Sequence, residues 1–281
     1  MNNDYYKNKY LKYKTKYIQL KENNEFDIIK NKHIQLGGNG SNLVKLEGVT
    51  PELYISRDVV IVGNAPSLLD KDNSAIDNHE CIMRLNCTGL DNQNYLSKAG
   101  KKCDIFVIGW DSSLTDYMSK FLTTLKNPLY VNSKIICRQP SAKEYLIKNG
   151  INEKLVYLMD SNSKYWCNWS VKNCLTKVNI NDDIKVTYSE HKDETFKNKS
   201  KYGTTGFVIL LYAVVSGIKP KVYGYSLQSQ NNKQIKTLSH ILLDNNPSRA
   251  KSERYPSEHD IPSEHRILKR LIDSNLIEFI Q

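Results

Sequence analysis

From about residue 51 onward, short apolar runs alternate with longer amphipathic or polar stretches. Val59-Val60-Ile61-Val62 is wholly apolar and β-branched, the pattern of a parallel strand buried on both faces. Residues 81–86, 104–109, 134–137, 155–159, 221–225 and 276–280 read as further strands, and residues 141–149 as a helix. Gly203-Thr204-Thr205-Gly206 opens an apolar stretch, residues 207–215, that stops at Ser216-Gly217. Its length and its terminal glycine predict a buried helix. Residues 263–274 predict an amphipathic helix with Ile267, Leu268, Leu271 and Ile272 on one face. This alternation predicts an α/β, Rossmann-like fold: an open, mostly parallel sheet flanked by helices. Residues 160–201 are polar and aperiodic, and a loop of that length inside a domain is expected to act as a lid.

The first residues follow another pattern. Tyr6, Tyr10, Tyr13, Tyr17 and Leu20 recur at steps of four and three, which places them on one helical stripe. Six lysines fill positions between and beside them (Lys7, Lys9, Lys12, Lys14, Lys16 and Lys21), against Asp4. Half of the formal net charge of +10 therefore lies in residues 1–21. A solvated helical tail, a self-association stripe and a basic surface for anionic membrane or nucleic acid all fit. Leu36-Gly37-Gly38-Asn39-Gly40-Ser41-Asn42 is flexible by composition. The expected organisation is thus a basic helical extension at 1–35, a linker at 36–50 and a catalytic-sized domain at 51–281.

Composition narrows the function classes. The basic residues are overwhelmingly lysine, with abundant Asn, Ile and Tyr, which reads as AT-rich coding bias before it reads as nucleic-acid binding, since Arg is the better phosphate fork. The composition resembles that of proteins from giant DNA viruses. No apolar run reaches the ~18 residues of a membrane span, and no signal-peptide pattern opens the chain. The six cysteines contain no CxxC pair, so reduced thiols and a soluble chain in a reducing compartment are expected: host cytoplasm or virion if the source is viral.

Three places carry candidate chemistry. Gly63-Asn64 ends the first long strand, where open α/β sheets bind ligands. Gly63 would let a ligand approach the backbone, and the Asn64 amide both donates and accepts. Read alone, the turn serves equally as structure or as ligand site. Thr204-Thr205-Gly206 opens the apolar helix, where free N–H groups favour an anion. Helix capping by Thr204 or Thr205 explains the same residues. His259 precedes Pro262 at a helix start, a place for a general base or for a plain surface histidine. Asp70-Lys71-Asp72 has the letters of a metal motif and reads as a solvated turn.

Taken together and in order, these elements resemble the animal-type sialyltransferase family, glycosyltransferase family 29. Its long motif is matched by Ile61-Val62-Gly63-Asn64, Ile76-Asp77-Asn78-His79-Glu80 and Arg84-Leu85-Asn86. Its short motif is matched by Thr204-Thr205-Gly206, the apolar helix and Val222-Tyr223-Gly224, and its very short motif by His259 and Glu264. Asp244-Asn245-Asn246-Pro247-Ser248 resembles the stretch that begins between the third motif and the histidine. The chain departs from the pattern at Val59, which stands where animal members carry a cysteine, and at Ile241-Leu242-Leu243-Asp244 in the third motif, with His240 one step early. A Golgi-type membrane anchor is also missing from the pattern.

The resemblance implies a sialyltransferase-type variant of the GT-A fold that moves sialic acid from CMP-sialic acid to a glycan hydroxyl, inverting and without a metal or other cofactor. It implies His259 as base and His240 as a candidate proton donor. It implies nucleotide or acceptor contacts from Asn64, Asn86, Tyr202, Thr204, Thr205 and Gly206. Gly63, Asp77, His79, Arg84 and Glu264 are expected to be structural supports, with Glu264 orienting the His259 loop. Transfer of another CMP-activated sugar, and a non-catalytic virion or scaffold protein that retains the fold, are the competing readings.

Overall fold

The computed structural model describes residues 42–86, 90, 93–109, 115–160, 174, 176, 204–225 and 261–280. The expectations for residues 1–35, the bulk of the 160–201 lid, residues 241–248, Tyr202, His240 and His259 lie outside the described residues. The unit considered below is Leu43–Gln281.

The chain opens with β1 (Leu43–Lys45), β2 (Val49–Thr50) and β3 (Tyr54–Ser56). The strands β4 (Val59–Val62) and β5 (Cys81–Leu85) follow, then α1 (Gln93–Ala99), β6 (Ile105–Ile108) and α2 (Thr115–Leu125). Next come β7 (Lys134–Cys137), α3 (Pro140–Lys148) and β8 (Val156–Met159). The last elements are α4 (Thr205–Val215), β9 (Lys221–Tyr223), α5 (Ile261–Asp273) and β10 (Glu278–Ile280).

Eight strands make one sheet in the order β10-β9-β4-β5-β6-β7-β8-β2. Every pairing is parallel except that of β2 with β8, and β1 pairs with β3 in a separate antiparallel ladder. From β4 to β8 the chain steps outward in sequence order, and β9 and β10 then lie on the opposite side of β4. The strand order therefore reverses between β4 and β9, and in open α/β sheets ligands bind in the crevice outside the carboxyl ends at such a reversal.

Alternate strand residues feed two cores, as the period of two demands. Val59, Ile61, Met83, Leu85, Ile105 and Val107 join α4 and α5 on one face. Val60, Val62, Ile82, Phe106 and Ile108 join residues of α1, α2 and α3 on the other. In α4, Thr205 through Val214 are all buried, which explains why its sequence is apolar all round rather than striped.

The expected strands and helices from residue 59 onward are present with ends shifted by a few residues at most. Two corrections arise. Part of the expected linker, Leu43 to Thr50, forms β1 and β2 and buries Val44, Leu46 and Val49. Helices α1 and α2 were not expected. The first buries only Tyr95 and Ala99 and so carries no readable stripe, whereas Met118, Phe121 and Leu125 of α2 do follow a helical period. Among the described residues, no helix is long and apolar enough to cross a membrane.

Candidate functional site

The carboxyl ends of β4 and β9 are knitted together by backbone. The Gly63 N–H donates to the Tyr223 carbonyl (2.7 Å) and the Ala65 N–H to the Gly224 carbonyl (2.8 Å). A Cβ on Gly63 would run into the Gly224 carbonyl and the Tyr225 ring. On its Cβ side, the close approach that Gly63 permits is to the neighbouring strand end. Asn64 leaves this turn toward the next strand, its Nδ2 donating to the Leu85 carbonyl at 3.3 Å.

Asn86 stands one step further along the same edge. Its φ of 55° is left-handed, a conformation that asparagine tolerates better than most residues. The turn lets its N–H donate to Val107 (2.9 Å) and its Oδ1 accept the Gly109 N–H (2.9 Å), joining the ends of β5 and β6. Gly109 has no side chain because the Thr205 hydroxyl lies where its Cβ would be. The start of α4 is thus pressed onto the strand ends.

The two threonines divide the work at that start. Thr204 is the N-cap: its Oγ1 accepts the Phe207 N–H at 3.2 Å. Its own N–H and hydroxyl donate to the Glu264 carboxylate, at 2.5 Å and 2.9 Å. The Thr204 side chain is consequently spent on protein partners. Thr205 is 9% exposed, and its Oγ1 accepts from Nη1 of Arg138 at 3.3 Å. Among the described residues, no acceptor is bonded to the N–H groups of Thr205 and Gly206, the first two of the helix. Tyr225 closes the back of the turn by donating to the Gly206 carbonyl at 2.9 Å. Burial, with the Glu264 charge adding to it, raises the Tyr225 phenol far above its ordinary range and keeps it a neutral donor.

Glu264 is 7% exposed and comes from the first turn of α5, so this buried carboxylate ties α5 to the cap of α4. The expectation that Glu264 orients the His259 loop falls on residues outside the described ones; among the described residues its carboxylate bonds the threonine cap of another helix. Its neighbour His265 is half-buried, its Nδ1 makes no hydrogen bond among the described residues, and burial lowers its pKa.

Arg138 was not singled out in the sequence. It follows β7 directly, is 8% exposed, and extends the ladder through its N–H to the Ile108 carbonyl (2.9 Å). The available signal was a charged residue immediately after a buried strand and two residues before Pro140, which begins α3.

Asp77, His79 and Arg84 stand apart from this edge. The Asp77 carboxylate accepts the N–H groups of Lys101 (2.7 Å) and Lys102 (2.9 Å). Arg84, 2% exposed, donates to the carbonyls of Ala99 and Lys102, both at 2.8 Å, and so closes the carboxyl end of α1. His79 Nδ1 meets Asp58 at 2.8 Å. Burial pushes the Asp58 carboxyl up, but bonds from the Glu80 N–H and His79 outweigh it and leave it below the ordinary carboxylate range.

The fold therefore brings Asn64, Asn86, Thr204, Thr205, Gly206 and Glu264 to one end of the sheet, at the strand-order reversal. Among the described residues, no group of three or more His, Cys, Asp or Glu is placed to hold a metal ion.

The family model described as glycosyltransferase family 29 (sialyltransferase) matches residues 5–276. No curated protein matches. Among solved structures, the chain is similar to a mammalian sialyltransferase crystallised in complex with Gal-β-1-3GalNAc-ortho-nitrophenol. The two share 12% identity with a TM-score of 0.45, over 79% of this chain and 68% of the other.

Proposed function

The chain belongs to glycosyltransferase family 29, the sialyltransferases, and from that premise we propose that it transfers sialic acid from CMP-sialic acid to a glycan hydroxyl, with inversion and without a metal. One observation carries the reading. The first turn of α4, with the Thr205 and Gly206 N–H groups unbonded among the described residues, lies against Asn86 and Gly109 at the carboxyl ends of the strands. A helix start at that edge favours a phosphate.

Inverting transfer asks for three things: a base for the acceptor hydroxyl, donors for the charge that grows on the departing CMP phosphate, and alignment of the two substrates. In this reading the Thr205 and Gly206 N–H groups meet the phosphate. Asn64 and Asn86 hold the nucleotide at the strand ends, and Tyr202 contacts nucleotide or acceptor. Thr204 acts through its backbone and as the cap, its hydroxyl being held by Glu264. His259 is the base and His240 the proton donor to the leaving phosphate. Glu264, five residues after His259, anchors α5, which begins two residues after that histidine, to the phosphate-facing turn of α4.

Thermal melting with CMP, UMP and AMP tests the donor. CMP is expected to raise the melting temperature more than UMP or AMP do; equal shifts for all three, or none, would contradict a CMP-sugar donor. EDTA is expected to leave turnover unchanged.

A further inference from the structure

We propose that a cavity at the amino ends of the strands, opposite the edge described above, is a second binding site, for a neutral oligosaccharide. The proposal does not rest on the CMP-sugar reading, because it concerns the other end of the sheet.

The cavity has a volume of about 470 Å³, inside the range of small-ligand pockets. Cys81, Ile105 and Lys134, the first residues of β5, β6 and β7, line it together with Leu43 and Tyr54 of the β1–β3 ladder. Leu129, from the stretch between α2 and β7, lines it as well. Among the described residues, the exposed large hydrophobic side chains are Leu43, Tyr54, Leu129 and Val131, each half exposed or more. Three of them line this cavity, and the fourth is two residues from Leu129. They come from three separate stretches of chain, so the fold, not a local run, collects them. Apolar groups gathered at one place on a surface mark a contact site.

Their outward display is built in. In β1 and β3 the period of two buries Val44 and Ile55 and turns Leu43 and Tyr54 to the other face of the ladder. Ahead of β7, Tyr130 is buried, donates to the Lys101 carbonyl at 2.9 Å and packs edge-on against Phe106 with ring centroids 5.6 Å apart. Its neighbours Leu129 and Val131 are thereby held at the surface.

The polar groups decide the ligand class. The cavity also holds the Asp104 carboxylate, the Asn132 amide and the Lys134 side chain. The Ile82 N–H fixes Asp104 by donating to its Oδ2 at 2.8 Å. A lipid chain or another wholly apolar guest would strip water from these groups and return no hydrogen bond. A pyranose satisfies both kinds of lining at once. Its C–H face packs on the electron-rich face of an aromatic ring such as that of Tyr54, and its hydroxyls donate to a carboxylate and exchange bonds with an amide. Being neutral, it needs no net charge of either sign in the cavity.

Titration of the full chain with a panel of neutral di- and trisaccharides, followed by saturation-transfer NMR, tests the site. The wild type should bind at least one member at roughly millimolar strength, the scale of a few solvent-edged contacts. Tyr54→Ala should weaken that binding by about tenfold, and Tyr54→Phe, which keeps the ring, should retain it. Asn132→Ala should weaken it by about fivefold through the lost amide bonds. Tyr54 and Asn132 are exposed, so wild-type melting temperatures are expected in all three variants, as is a wild-type response to CMP. Binding that Tyr54→Ala leaves unchanged belongs to the carboxyl edge and overturns the proposal, as does a wild type that binds no member of the panel. Attachment to a glycoprotein that survives enzymatic removal of its glycans, or to lipid vesicles without binding to any sugar, overturns it in favour of a peptide or a membrane surface. Sugar binding is read without CMP, so failure of the CMP-sugar reading and failure of this site are separate results.

Discussion

The Glu264 carboxylate bonds both the N–H (2.5 Å) and the hydroxyl (2.9 Å) of Thr204, the residue that caps α4. Two helix starts, α4 and α5, are thereby locked together across 60 residues of chain. The lock orders the helix end proposed to face phosphate and the helix that begins two residues after the proposed base. Bonds to an ionised, buried acceptor are stronger than neutral ones, and breaking them leaves buried donors unsatisfied.

Glu264→Ala should therefore destabilise the chain by about 2–3 kcal/mol, while Glu264→Gln, which keeps one acceptor oxygen, should cost about 1 kcal/mol. Denaturant titration measures both. Thr204→Val combined with Glu264→Ala should cost less than the sum of the single changes, since both remove the hydroxyl–carboxylate bond. Strict additivity would show that the pair does not act as one unit.

Asn86 combines a left-handed backbone with a side-chain bond to Gly109, and two substitutions separate these contributions. Asn86→Gly loses the bond but relaxes the backbone, at a cost of about 1 kcal/mol. Asn86→Ala loses the bond and strains the backbone, at about 2 kcal/mol. Equal costs in urea unfolding would remove the left-handed turn from the explanation.

Gly109→Ala drives a methyl group into the Thr205 hydroxyl and pushes it off Arg138. Overpacking of this kind costs about 1–3 kcal/mol. The same change should weaken CMP binding by about tenfold if Thr205 supports the phosphate. A destabilised variant with wild-type CMP affinity would uncouple Thr205 from the ligand.

Burial lowers the pKa of His265 from its ordinary 6.5. In the unfolded chain this imidazole protonates near 6.5, whereas in the folded chain it stays neutral to lower pH. Below about pH 6.5 the unfolded state therefore binds the extra proton, and stability falls until the folded pKa is passed. The melting temperature should decline on acidification through this window, less steeply in His265→Gln. Parallel declines in the two proteins would assign the effect to other groups.

What was legible in the sequence follows from burial. Most residues of β4 to β8 are apolar whichever face they take, so runs such as Val59 to Val62 and Ile135 to Cys137 have no rival reading as surface helix. Strands β1 to β3 are two or three residues long, too short to show a period; β1 and β3 pair with each other, and β2 pairs with distant chain, Val49 opposite Met159. The ends of long strands pointed to Asn64 and Asn86, and the helix-opening turn to Thr204, Thr205 and Gly206. The partner that takes the Thr204 hydroxyl was not legible, because it lies far along the chain in α5. Arg138 was not legible either, since one charged residue after a strand looks solvated until the fold packs α4 over it.

The most direct measurement is transfer itself: CMP-sialic acid and a panel of glycans with free hydroxyls incubated with the chain in EDTA, with sialylated product followed by mass. The wild type is expected to form product and release CMP, and His259→Ala to keep CMP binding while losing turnover by about a hundredfold or more. No sialylated product from a folded, CMP-binding wild-type chain, or full turnover in His259→Ala, would contradict the account.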